Sequence, residues 1–223
     1  MKIERASKQA IQYACKNFHY AKLVAPRCYD LAFSIFNNDG EWCGVICYGR
    51  GGTPAIAKPY GMKQGQVIEL IRVALNGKQE QTSKAVALTL KLLPKYAPMA
   101  RLVVSYADKG QGHVGTIYQA SNWIYTGGSN SSGQEYYVNG KWTHPSPIKY
   151  MNIDRANLPK RAMSGKHKYI YPLDKSLVEY CQQLSKPYPK KAAAEETDSG
   201  VQPETGGLSP TLPLQFSDER QPD

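Results

Sequence analysis

Between Ser105 and Tyr118 the chain gathers Tyr106, Asp108, His113 and Tyr118 within one loop and one helical turn of the end of a predicted strand. A carboxylate, an imidazole and two phenols at the carboxyl end of a strand are the groups and the place for binding a ligand or moving a proton. Gly110, Gly112 and Gly115 let a ligand approach the backbone closely. The same residues also fit a loop in which Asp108 caps a helix and the glycines form turns. A second stretch, Asn17-Phe-His-Tyr-Ala21, sets His19 beside Tyr20, a pair able to hold a metal or relay a proton. Equally, His19 can satisfy a helix C-terminus with Tyr20 packed beneath it. A third, Gly77 to Ser83, precedes a helix whose free N–H groups can receive a phosphate or carboxylate, or be capped by Thr82 or Ser83.

The five cysteines, Cys15, Cys28, Cys43, Cys47 and Cys181, are odd in number and include no C-x-x-C pair. Reduced thiols are expected. Cys43 and Cys47 lie four apart on a predicted strand, so alternation puts both on one face, where a metal is conceivable and buried small hydrophobes are the better reading.

The elements that must position these groups follow from the apolar pattern. Glu4 to Asn17 carries a helical stripe. Leu31–Phe36 and Trp42–Tyr48 read as a hairpin around the Asn37-Asn-Asp-Gly40 turn. Val67–Leu75 reads as a buried strand, Thr82–Leu93 as a helix stopped by Pro94, Arg101–Ala107 as a strand and His113–Ser121 as a short helix. Trp123–Gly127 and Glu135–Val138 add two short strands. Helix, hairpin, strand, helix, strand, helix, strand, strand is the order of an α+β fold with a central, mostly antiparallel sheet flanked by helices, as in an acyltransferase.

Charge divides the chain. Its 28 Lys and Arg outnumber 18 Asp and Glu, for a net +10, yet residues 192–223 alone carry −6, which leaves +16 on the rest. Such a basic body favours a polyanion partner, nucleic acid above all. Residues 149–191 hold ten Lys and Arg against three acids, with tyrosines interspersed. The expected organisation is therefore a catalytic domain at 1–148, a basic aromatic extension contacting DNA at 149–191, and a disordered acidic tail at 192–223. No apolar run is long enough for a membrane span and Met1–Arg5 has no signal segment, so a cytoplasmic protein is expected.

The segment from Leu102 to Gly127, with Phe18-His-Tyr-Ala-Lys22, Glu69-Leu-Ile-Arg-Val73, Ser164–Pro172 and Lys186–Lys190, resembles the phage Mom family of DNA-modification proteins. That resemblance implies a GNAT-like acyltransferase fold and transfer of a methylcarbamoyl (acetamido) group to N6 of adenine in phage DNA. It implies a catalytic set of His19, Tyr20 and Asp108, with the same three as ligands of a bound iron. Arg72, Lys78, Thr82 and Ser83 are the expected contacts to the donor, acetyl-CoA or another activated small molecule. The stretch from Gly77 to Ser83 departs from the Gln/Arg-x-x-Gly-x-Gly/Ala run of ordinary acetyltransferases, which puts pyrophosphate cradling in doubt. Tyr106, His113, Tyr118, Asn122, Trp123, Tyr125, Lys166 and Lys168 are the expected contacts to DNA and an extruded adenine; Tyr118 and Trp123 serve equally well as core.

The resulting expectation is a transferase that protects phage DNA from host restriction by changing a major-groove donor. Its rivals are a conventional N-acetyltransferase acting on a protein or small amine, and a nucleic-acid-binding module without catalysis.

Overall fold

In the computed structural model, which describes residues 1–190 apart from 52, 130–132 and 149, the hairpin expected around Asn37–Gly40 is the middle of a larger meander. Strand β1 (Lys2–Arg5) pairs antiparallel with β2 (Leu31–Phe36), and β2 with β3 (Trp42–Gly49). β1 occupies the start of the expected Glu4–Asn17 helix. The helix α1 (Lys8–Asn17) begins only after Ser7, whose hydroxyl accepts from the Ala10 N–H at 3.1 Å as an N-cap.

β4 (Val67–Leu75) pairs antiparallel with β3 and, across α2 (Thr82–Tyr96), parallel with β5 (Leu102–Asp108). This crossover gives the sheet its parallel pair. α2 runs past Pro94, which removes one backbone donor in the last turn while Leu93 is buried and Tyr96 sits edge-on to Phe33. The expected helix at His113–Ser121 shrinks to α3 (Thr116–Gln119), because Gly112 and Gly115 take positive φ and break the helical path before it. After β6 (Ile124–Ser129) come a small sheet of β7 (Gln134–Val138), β8 (Lys141–Thr143) and β9 (Lys160–Ala162), with α4 (Pro145–Ile148) between the last two.

The segment expected as an extension after residue 148 is built into the fold. β10 (Lys166–Pro172) lies between β5 and β6, antiparallel to both, and α5 (Val178–Gln183) covers it. The main sheet therefore runs β1-β2-β3-β4-β5-β10-β6. It is α+β and mostly antiparallel, as expected. Tyr169 and Ile170 of β10 are fully buried, so its aromatic character serves the core. The expected acidic tail lies outside the described residues.

One face of the sheet is covered by α2 and α3 over Phe33, Ile46, Tyr48, Leu70 and Val103. The other is covered by α1, which packs Ile11, Ala14 and Cys15 on Val45, Cys47, Ile71 and Ala74, and by a second cluster in which Cys181 of α5 joins Leu102, Val104 and Ile170. Two bulges set these faces. Opposite Ile35 and Phe36 an extra residue enters β3, and Gly44 there has φ +126°, with the Ala74 carbonyl oxygen only 2.1 Å from where a Cβ would sit. The bulge reverses the alternation, so Cys43 joins the α2 face while Cys47 faces α1. This corrects the expectation that Cys43 and Cys47 share a face. The second bulge places Ile71 of β4 between the pairs Cys47–Arg72 and Tyr48–Leu70.

Candidate active site

That second bulge opens the site. β4 and β5 are paired only from Val67–Leu102 to Leu70–Ser105, although β4 continues to Leu75 and β5 to Asp108. A bulge bends the strand that carries it, and beyond Leu70 the two strands part around a cavity of about 570 Å³. Ser105 holds the apex: its buried hydroxyl hydrogen-bonds the Leu70 carbonyl oxygen at 2.9 Å and the Tyr118 hydroxyl at 2.8 Å. Past the apex, β4 beyond Leu70 has no strand partner on its β5 side among the described residues.

Both chemistry-bearing stretches reach this cavity. His19 and Tyr20, in the turn after α1, line it together with Tyr106, Asp108, His113 and Tyr118, and with Glu69, Arg72, Thr82 and Lys166. The His19 and Tyr20 rings lie 4.3 Å apart, and Tyr20 meets His113 edge-on at 5.6 Å. His19 is 9% exposed, and its Nδ1 accepts the Ala21 N–H at 3.1 Å. Burial, with the charge of Arg72, lowers its pKa to about 4. Its imidazole is thus neutral near pH 7 and carries its proton on Nε2, a donor rather than a base. Burial and the negative charge of Asp108 both push the Tyr20 phenol up, so it too remains a donor.

Asp108 ends β5. Its Oδ1 accepts from the Gly110 N–H at 2.9 Å and from the Ser164 hydroxyl at 2.8 Å. The cap expected of it is present, and it leaves Oδ2 to the site. Gly115, with φ +77°, lets the loop pass the Tyr169 ring, which would lie 2.4 Å from a Cβ. Glu69, Ser105 and Ser164 were missed by sequence reasoning. All three lie in stretches that carried the family resemblance, Glu69–Val73, Leu102–Gly127 and Ser164–Pro172, but none was singled out.

At the donor end, neither Thr82 nor Ser83 caps α2. The cap position is Gln81, which makes no side-chain capping bond, so the first N–H groups of α2 keep their donor capacity beside the cavity wall at Thr82. Thr82 Oγ1 instead accepts from Gln79 Nε2 at 2.8 Å. Lys78 and Ser83 do not line the cavity, and Lys78 pairs with Glu41 at 3.7 Å.

Several expected adenine contacts are elsewhere. Trp123 is fully buried in the core against Tyr118 and Tyr171. Tyr125 is buried with its hydroxyl 2.9 Å from His167 Nδ1, Asn122 occupies an exposed turn at φ +61°, and Lys168 lies over the Tyr60 ring. Strand alternation and a tight turn, which the local pattern left open, carry these side chains away from the wedge.

The iron implied for His19, Tyr20 and Asp108 does not fit the residues as they stand. His19 Nδ1 accepts the Ala21 N–H, so Nε2 carries the ring proton and offers a metal no lone pair, and Asp108 keeps only Oδ2 beside the bonds that Oδ1 accepts from Gly110 and Ser164. Among the described residues, the His, Cys, Asp or Glu ligand atoms that gather in threes are those of Cys15, Cys28 and Cys47.

The sequence pattern described as the Mom protein family matches residues 1–190. The chain belongs to this family. The match takes in every strand of the main sheet and every residue lining the cavity. Within the family, the methylcarbamoylase Mom of Escherichia phage Mu is 25% identical over 148 residues, covering 65% of this chain and 60% of that relative. Among solved structures, the spermidine/spermine N-acetyltransferase SpeG from Vibrio cholerae is 6% identical, with a TM-score of 0.46 over 80% of this chain and 95% of that one. A Bacillus subtilis acetyltransferase in complex with CoA is 10% identical, with a TM-score of 0.45 over 77% and 97%. No helix among the described residues is long and apolar enough to cross a membrane.

Proposed function

We propose that the chain is a transferase that places a methylcarbamoyl group on N6 of adenine in DNA. The observation that carries this reading is the convergence of His19 and Tyr20 with Asp108, from segments some ninety residues apart, on one cavity in a member of the Mom family. Adenine in a duplex hides N6 in the stack, so the base must leave the helix to react. In the cavity the N6 lone pair forms the new bond to the methylene carbon of a donor that already carries the carboxamide and bears a leaving group on that carbon, and the leaving group departs with its bonding pair. Asp108 Oδ2 takes the proton that N6 loses. The Nε2–H of His19 and the hydroxyl of Tyr20 supply hydrogen bonds to charge developing on donor or leaving group. Because a methylcarbamoyl product joins N6 to a methylene carbon, the step is not simple thioester aminolysis.

For an activated small-molecule donor, which in the N-acetyltransferase alternative is acetyl-CoA itself, two features offer places. The unpaired edge of β4 beyond Leu70 accepts an extended amide-bearing arm, and the α2 N-terminus favours a phosphate. Arg72 adds a positive charge on the same wall. For DNA, exposed Lys166 stands at the cavity rim, and the small sheet presents Trp142 under the Arg161 guanidinium at 4.5 Å beside half-exposed Tyr137. Stacking aromatics with cations suit unpaired bases and backbone phosphate. Residues 149–191 thus contribute both to the sheet and, in this reading, to the DNA face. Modified N6 would no longer present the groove edge that restriction enzymes read.

The test is expression in bacteria, digestion of genomic DNA to nucleosides and mass spectrometry of deoxyadenosine. A heavier nucleoside carrying the methylcarbamoyl group is expected. Unshifted deoxyadenosine from well-folded protein, with acetylation of amines by acetyl-CoA, would replace this reading with a conventional N-acetyltransferase. Salt-dependent DNA binding that survives Asp108→Ala, with no chemistry, would leave a binding module.

A further inference from the structure

Cys15 of α1, Cys28 of the short 3-10 helix Pro26–Tyr29 and Cys47 of β3 come from three separate elements, yet their sulfurs all lie within 4.8 Å of one another. All three are fully buried, among Ile11, Val45, Ile71 and Ala74. Their sequence spacing carries no metal motif, and regular alternation along β3 puts Cys47 with Val45 on the α1 face. We propose that these three thiolates form a structural site for a thiolate-preferring divalent cation of the zinc class, fastening the end of α1 to the sheet beneath it.

Size and charge both favour such an ion. Zinc with Zn–S bonds of about 2.3 Å holds its sulfurs roughly 3.8 Å apart, so the trio needs to contract by about 1 Å at most. Three thiolates and a divalent ion leave one negative charge in an apolar pocket. Arg72 is the cross-strand partner of Cys47, and its guanidinium supplies the compensating positive charge. Its Nη1 donates to the Ile71 carbonyl at 2.9 Å while its Nε is buried without a hydrogen-bond partner, so the cation has binding capacity to spare on that face. Binding replaces three thiol protons with the ion and releases them to solvent. His19 follows Cys15 by one helical turn, so an ion here would fix the turn that carries His19 and Tyr20 without being the reacting centre.

The full chain, purified under reducing conditions without added chelator, tests this by elemental analysis. About one equivalent of zinc per chain is expected, released when a mercurial reagent titrates the thiols. Cobalt(II) added to metal-stripped protein should produce a near-ultraviolet thiolate-to-metal charge-transfer band. Cys28→Ala should lose both, while Cys181→Ala, which removes a buried thiol elsewhere, should keep both. Zinc below about a tenth of an equivalent, together with a featureless cobalt titration of the unsubstituted chain, would overturn the proposal and leave three reduced thiols packed as small hydrophobes. Because the wild-type measurements decide, a variant that fails to fold does not rescue the idea.

Discussion

Ser164 reaches across 56 residues to donate its hydroxyl to Asp108 Oδ1 at 2.8 Å, which ties the start of β10 to the loop that holds the candidate base. With the Gly110 N–H on the same oxygen, the carboxylate is fixed with Oδ2 available. Asp108→Asn keeps the shape of the group and removes its proton affinity, so it should abolish adenine modification while leaving circular dichroism and Tm near wild type. Full activity in that variant would show that another group takes the proton.

Ser164→Ala probes positioning alone. A hydrogen bond to a charged group is worth about 1.5–3 kcal/mol, so loss of orientation should lower the modification rate by roughly 10- to 100-fold. Ser164→Thr, which restores a hydroxyl, should recover most of it. The readout that separates positioning from mere packing is Tm, which should stay near wild type in both variants while the rate falls in the alanine variant and returns in the threonine one.

His19 makes stability depend on pH with a definite sign. Its folded pKa, about 4, lies below the ordinary histidine value, so between these two pH values the unfolded chain binds more protons. The stability this burial preserves is complete above about pH 6.5 and is lost as pH falls toward 4. Thermal unfolding at pH 7.5 and pH 4.5 should therefore show a larger drop in Tm for wild type than for His19→Gln, which has no imidazole to protonate. Equal drops would mean that His19 is not held neutral by the fold.

Gly44→Ala should be severely destabilising, because the new methyl would meet the Ala74 carbonyl oxygen at a backbone conformation closed to L side chains. A loss of about 2–3 kcal/mol or more in urea denaturation is expected.

If the small sheet receives DNA, Arg161→Ala should weaken binding across sequences and flatten the salt dependence by about one counterion. Trp142→Ala should weaken single-stranded binding most, at about 1–3 kcal/mol per stacked base lost. Fluorescence anisotropy over a salt series checks both. Unchanged affinity in the two variants would move the DNA face elsewhere on the basic surface.

Short-range chemistry made much of this protein legible in advance. Alternation and turn residues located β2, β3, β4 and β5 within a residue or two, because each strand is long, apolar and bounded by strong breakers. The polar groups at the carboxyl end of β5 and the His19–Tyr20 pair were likewise visible as residue types waiting for a site. What the amino-acid order left open is non-local. The partner of β5 is β10, which begins 58 residues after β5 ends, and no local propensity announces that pairing. Two single-residue bulges decide which face Cys43 and Ile71 occupy and where β4 leaves β5, and a one-residue shift in a strand reverses everything beyond it. For that reason the tertiary structure alone determined that Trp123 and Tyr125 are core, that His19 and Asp108 line one cavity, and that three scattered cysteines form one cluster.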